Sequence, residues 1–263
     1  MRSMILSLIF VCCCYSESEA WTSKTYQLIV VKSVELMPAS FRNIMKQHQE
    51  EILSGVLRPD SDGESVHQYN VTSKSGFLQD KLISLSQQIP VEIHDHHPFR
   101  EIAVDFGRVA HYIADLNDPL ILSDEDKKES TYREDFAVYA EKSIPKFPWI
   151  FDGHVNSLLE KSDFQDYFYS IASDTVQKYA RIGEAYYPDG VLVSSDTFDD
   201  RSHPFGIASL SYSHSISDTV QLWFYIWRKA HGDISFTPFY KRPKKIIAGA
   251  NHEQNGTDAN IPK

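Results

Sequence analysis

Beyond its first twenty residues the chain has no cysteine. Its three cysteines stand together at Cys12, Cys13 and Cys14, inside a segment that reads as an export leader. Arg2 supplies a positive start, Met4 to Tyr15 an apolar run, and Ser18-Glu19-Ala20 small residues at a cleavage junction. The predicted mature chain therefore begins at Trp21 and has no disulfide, although its compartment would permit one. Its stability must come from a core, helped by any bound metal. A lipid-anchor reading of the adjacent cysteines fits poorly, because Phe10 and Val11 stand where a lipoprotein site wants small residues.

Long apolar runs are also missing. The leader is too short to cross a bilayer as a stable helix, and no later stretch approaches the ~20 apolar residues a span needs. The expectation is a secreted or periplasmic protein. Positive charge is in short supply too: 26 Lys and Arg stand against 36 Asp and Glu. That balance disfavours nonspecific binding to nucleic acid or to anionic membrane, so no nucleic-acid partner is expected. A small anionic substrate held by a metal stays open. There is no Gly-x-Ser-x-Gly and no glycine-rich phosphate loop, which sets aside nucleophile-elbow hydrolases and P-loop enzymes. No internal repeat and no strand-rich half is evident.

What the chain does have is helical periodicity. Leu28, Val31, Val34 and Met37 recur at helical spacing until Pro38 breaks the pattern. A second helix is predicted from Ala39 to Ser54, with Gly55 as its stop. The polar segment from Arg58 to His67 follows, rich in turn formers and carrying two candidate ligands. After Pro98 the strongest helix runs from Phe99 to Leu116, apolar around most of its circumference as a buried bundle helix should be. Further helices are predicted over Tyr132–Lys142, Phe164–Tyr187 and Ser215–Ala230. The fold class is all-α, a multi-helix bundle. The domain reading is a leader over 1–20, one helical domain over 21–235, and a flexible polar tail over 236–263. That tail includes the basic run Lys241-Arg242-Pro243-Lys244-Lys245. Asn70-Val71-Thr72 and Asn255-Gly256-Thr257 are glycosylation sequons should the host glycosylate.

His111 and Asp115 stand four residues apart in the strongest helix, which places an imidazole and a carboxylate on one face where both can address one ion. The surrounding order is Phe106-Gly107-Arg108-Val109-Ala110-His111-Tyr112-Ile113-Ala114-Asp115-Leu116-Asn117-Asp118-Pro119-Leu120. It resembles the signature helix of the zinc-dependent phospholipases C and the related single-strand nucleases. Gly55-Val56-Leu57-Arg58-Pro59-Asp60, with His67 beyond, is similar to that family's Gly-x-x-x-Pro-Asp and its nearby histidine. Trp21 at the predicted mature start matches the family's amino-terminal tryptophan ligand. These matches span residues 21 to about 140.

The resemblance implies a helical bundle of the phospholipase C and nuclease type that holds zinc in a cleft. Asp60, His67, His111 and Asp115 are the implied ligands, with Trp21 joining through its amine and carbonyl and Asp115 bridging to a second metal. Asp60 is the implied catalytic residue. The implied activity is hydrolysis of phosphate esters, phospholipid first, with metal-activated water as nucleophile. Departures are also visible. Tyr26 or Gln27 stands where the family has a histidine, and Pro119-Leu120-Ile121 replaces Pro-x-His. Tyr132 to Phe136 lacks the family's next histidine and glutamate pair, leaving Glu129, Glu134 or Asp135 in other registers. The expectation is one well-formed metal at most.

Plainer readings stand beside these. A His and an Asp four apart are most often a core pair. His94, His96 and His97 before Pro98 read as a solvated turn and helix start. Val220 to Trp227 reads as core, with transient contact with a membrane surface as the second reading. Asp199, Asp200, His203 and His214 obey no metal-ligand spacing. The alternative function is a noncatalytic descendant, with a structural zinc or none, serving as an extracellular binding or scaffold protein.

Overall fold

The computed structural model describes residues 21–122, 128–154 and 163–240, apart from the side chains of Asp60, Ser61 and Glu64. The predicted leader, the Lys241–Lys245 run and the second sequon lie outside the described residues.

Nine α-helices make up the described architecture, and no strand occurs among the described residues. They are α1 (Ser23–Leu36), α2 (Ala39–Gln47), α3 (Gln49–Leu57), α4 (Phe77–His94), α5 (Phe99–Leu116), α6 (Arg133–Ser143), α7 (Phe164–Val176), α8 (Tyr179–Tyr186) and α9 (His203–Lys229). Helix α5 is the axis of the bundle. Nearly every residue from Ile102 to Leu116 is buried, because α1, α3, α4 and α9 all pack on it. Its start follows Pro98, whose fixed φ suits a helix entry. Trp21, Tyr26, Phe41, Phe106, Tyr112, Trp223 and Phe224 fill the core around it with almost no exposure. Side chains of this size contribute roughly 1.5–3 kcal/mol each when buried.

The predicted helix over 39–54 is two helices. His48 leaves helical geometry, at φ −120° and ψ 34°, and α3 starts afresh with Glu50 and Glu51 in its first turn, where carboxylates suit the helix dipole. That restart aims α3 at α5, where its contact is the most extensive among the described elements. Two glycines make the crossing close. A Cβ on Gly55 would lie 2.2 Å from the Val104 carbonyl oxygen, and one on Gly107 would lie 2.3 Å from that of Ile52. Only the bare backbone fits on either side.

The segment from Arg58 to His67 folds as two short 3₁₀ turns, Arg58–Ser61 and Glu64–His67, with Gly63 between them at φ +86°. Its polar, turn-forming character was legible; helix α4 after it was not. The 27-residue α9 reaches twelve residues further back than its predicted start. Ser202 caps it, its hydroxyl accepting from the Phe205 amide. The Val220–Trp227 run on α9 is buried, as the core reading held. The predicted 164–187 helix is broken by a turn at Gln177 and Lys178 into α7 and α8. His94 closes α4 and is exposed, with the turn and Pro98 following it as predicted. Among the described residues no helix is long and apolar enough to cross a membrane.

Candidate metal centre

The last turn of α3 leaves backbone carbonyls without helical partners, as every helix end does. The Val56 carbonyl is one of them, and the Gly55–Gly107 crossing carries it to α5, where it accepts from His111 Nδ1 at 2.7 Å. With that proton given to the backbone, His111 presents Nε2 to Asp115 Oδ2 at 3.3 Å. The two residues are one turn apart on α5, and both are almost wholly buried. The 3₁₀ segment supplies the third donor. His67 places Nε2 3.1 Å from the Pro59 carbonyl and Nδ1 2.6 Å from the same Asp115 oxygen.

Asp115 thus collects two imidazoles on one oxygen. Burial alone would raise its pKa, but the neighbouring His111 and His67 outweigh that and hold the carboxyl well below the usual range. Its other oxygen, Oδ1, accepts the Tyr26 hydroxyl at 2.5 Å. The Tyr26 ring also stacks on His111, with centroids 4.2 Å apart. Trp21 is fully buried beside this wall and donates its indole N–H to the Ala114 carbonyl at 3.2 Å.

The donor set fits a divalent cation such as zinc. One atom each from His67, His111 and Asp115 lie within 4.8 Å of one another. Two donors about 2.1 Å from a tetrahedral ion stand about 3.4 Å apart, close to the His111–Asp115 separation of 3.3 Å. Each imidazole is oriented through its far nitrogen by a backbone carbonyl, the arrangement that fixes ligand tautomers in metal sites. His67 shows why positive charge belongs here. If its Nε2 proton goes to Pro59, then Nδ1, 2.6 Å from a carboxylate oxygen, needs a proton between them, which a cation would displace as the two donors moved apart.

Of the sequence-predicted ligands, His67, His111 and Asp115 are therefore brought together. The Asp60 side chain lies outside the described residues, although its backbone belongs to the same 3₁₀ turn as Pro59. Trp21 lies against the signature helix through its indole. Sequence reasoning passed over Tyr26 as a poor zinc ligand and did not weigh the carbonyls of Val56 and Pro59, which carry no side-chain signal.

Of the registers considered for a further metal, Glu134 is exposed and the other two are otherwise engaged. Glu129 is buried and ion-paired with Arg133, four residues on. Asp135 accepts from the Tyr186 hydroxyl at 2.9 Å and the Ser195 amide at 2.8 Å. Asp199, Asp200, His203 and His214 do not form a ligand group among the described residues. Asp200 pairs with Lys146, whereas His214 lies 3.7 Å from Asp152 and 3.9 Å from Asp174. These last residues line a separate acidic cavity of about 460 Å³, together with Asp163, Asp166 and Asp218.

Fold and site define a class: an all-α multi-helix bundle whose central helix contributes a histidine and an aspartate to a cluster of metal-binding character. Solved structures share the architecture. The chain is similar to the alpha-toxin of Clostridium perfringens avian strain SWCP, with a TM-score of 0.60 and 14% identity over 80% of this chain and 64% of that one. It is likewise similar to the alpha toxin of Clostridium absonum, with a TM-score of 0.60 and 17% identity over 83% of this chain and 65% of that one. The chain thus spans less than two thirds of the length of either. At such identities the likeness establishes the fold alone, the phospholipase C type of helical bundle expected from the signature helix. No protein-family profile matches the chain, and no curated protein does.

Proposed function

We propose that the chain is a zinc-dependent hydrolase of phosphate ester bonds, exported after cleavage before Trp21, with phospholipid as its substrate class. The observation that carries the reading is the convergence of two imidazoles, each braced by a backbone carbonyl, on one buried carboxylate. His67, His111 and Asp115 would hold the cation, joined by Asp60 and by the backbone of Trp21 as the signature resemblance implies. Bound there, zinc would supply Lewis acidity toward a phosphate oxygen and lower the pKa of a coordinated water.

The chain's own residues prepare that chemistry. Val56 and Pro59 fix the two imidazole orientations, so that little reorganisation is left for binding. Asp115 stays ionised despite complete burial, which supplies the negative charge a cation needs. The Tyr26 hydroxyl occupies the carboxylate oxygen that would otherwise bridge to a second ion. A single cation per chain follows. Asp60, on the turn beside the cluster, is assigned the part of proton acceptor for the attacking water. Leaving-group protonation is assigned to no residue.

Elemental analysis of the mature protein, paired with turnover of a chromogenic phosphodiester, tests this reading. One zinc per chain and activity lost with chelator are the expected results. A metal-free, inactive protein would instead give the lead to the noncatalytic reading, in which the fold serves as an extracellular binding or scaffold protein.

A further inference from the structure

The site described above depends on a segment with little core of its own. Between Arg58 and Gln68, Pro59 is the buried residue whose side chain is described, and Val66 is half-buried. Yet this segment carries His67, the Pro59 carbonyl that orients it, and Asp60. Something must hold it to α5 with the accuracy a metal ligand requires. His67 itself gives one attachment, its Nδ1 lying 2.6 Å from Asp115 Oδ2 on α5.

Asp62 supplies a second attachment. It lies between Asp60 and His67, and its Oδ2 accepts from the Tyr112 hydroxyl at 2.6 Å. Tyr112 belongs to α5, adjacent in sequence to His111, and its ring is fully buried. The Tyr112 ring also borders His67, with centroids 5.9 Å apart. Arg108, one turn earlier on α5, stands 3.8 Å from the same Asp62 oxygen while bonding Asp105 at 3.0 Å. A rigid buried phenol and a guanidinium on the central helix therefore both face one carboxylate on the loop. Asp62 shares no atom with the His67–His111–Asp115 cluster.

We infer that Asp62 and Tyr112 form a clasp that positions His67 for the cation, making both positioning residues for the proposed metal site rather than ligands of it. This rests on the reading of the cluster as a metal centre. The clasp acts by loop geometry: with it closed, His67 is held beside Asp115 before the ion arrives, and the ordering is not charged against binding. A hydrogen bond from a phenol to a carboxylate is of the stronger, charge-assisted kind. Oriented outer partners of this sort typically affect metal affinity about 10–100-fold.

The test uses three full-length variants, Asp62→Ala, Tyr112→Phe and Asp62→Asn, with zinc affinity read by competition against a chromogenic chelator. Asp62→Ala and Tyr112→Phe should each weaken zinc about 10–100-fold. Asp62→Asn should stay within a few-fold of wild type, because its amide oxygen still accepts from Tyr112. Equal loss in Asp62→Asn and Asp62→Ala would make the charge, not the clasp, decisive and overturn the inference. Hydrogen exchange of amides 58–67 in the zinc-free protein gives a readout independent of the ion. It should quicken in Asp62→Ala and Tyr112→Phe but not in Asp62→Asn, and unchanged exchange in all three overturns the clasp. A wild type that binds no zinc overturns the metal-site reading instead, and the exchange result still decides whether the clasp exists.

Discussion

At Tyr26 the chain places a phenol near the start of α1, where the signature resemblance leads one to expect an imidazole. The phenol bonds Asp115 and stacks on His111, so it satisfies in place the oxygen that a second metal would take. Tyr26→Phe keeps the stack and leaves that buried oxygen without its donor. Removing such a partner costs roughly 1–3 kcal/mol, and urea denaturation should show it. His111→Ala and Asp115→Asn should each abolish bound zinc and lower the melting temperature of the zinc-loaded protein, since each opens a ligand position in a buried site. His97→Ala, on an exposed turn, should change stability by no more than about 0.5 kcal/mol. Calorimetry with metal analysis checks all three. His111 and Asp115 were legible as a pair from their one-turn spacing and His67 from the family resemblance, and the fold brings the three together. Backbone carbonyls carry no side-chain code, and Val56 and Pro59 emerged only from the fold.

Among the elements, the α3–α5 crossing links packing to chemistry. Gly55 and Gly107 let the two backbones touch, and that approach delivers the Val56 carbonyl to His111. Gly55→Ala or Gly107→Ala must separate the helices, because a Cβ would meet backbone rather than a side chain that can swing aside. Overpacking of this kind costs about 1–3 kcal/mol, and zinc affinity should fall with it as His111 loses its brace. Either alanine variant with wild-type stability and zinc binding would show that the crossing relaxes without cost. Helix α5 was readable from end to end because its apolar periodicity is strong and Pro98 marks its start. Helix α4 was not, since Pro90 lies inside it and Gln87, Gln88 and Glu92 dilute its pattern. The early half of α9 was hidden for another reason. Ser209, Ser211 and Ser213 are buried, yet serines give no hydrophobic signal, and tertiary packing rather than local propensity makes that stretch helical.

At the scale of the molecule, packing beyond the candidate metal centre draws on a histidine the sequence did not single out. His154 sits among the rings of Phe151, Phe224 and Tyr240, at centroid distances of 5.4, 4.7 and 5.2 Å. It thereby ties the segment after α6 and the end of the described chain to α9. Both of its ring nitrogens are buried, and desolvation by that burial lowers its pKa from the ordinary value of 6.5. The folded state therefore favours the neutral ring, whereas the unfolded chain takes up a proton near pH 6.5. Between the two pKa values the unfolded state binds more protons, so stability rises with pH there. The contribution is fully present above pH 6.5 and is lost as acidification proceeds from 6.5 toward the folded pKa. Protons compete with a cation for its ligands, so zinc binding would add a pH dependence of its own, and the comparison belongs in chelator-treated samples, with His154→Phe set against wild type. Phenylalanine keeps the aromatic packing and removes the titrating group. The drop in melting temperature between pH 7.5 and pH 5.5 should be smaller in His154→Phe than in wild type. Equal drops would mean that His154 accepts its proton without opening the aromatic cluster.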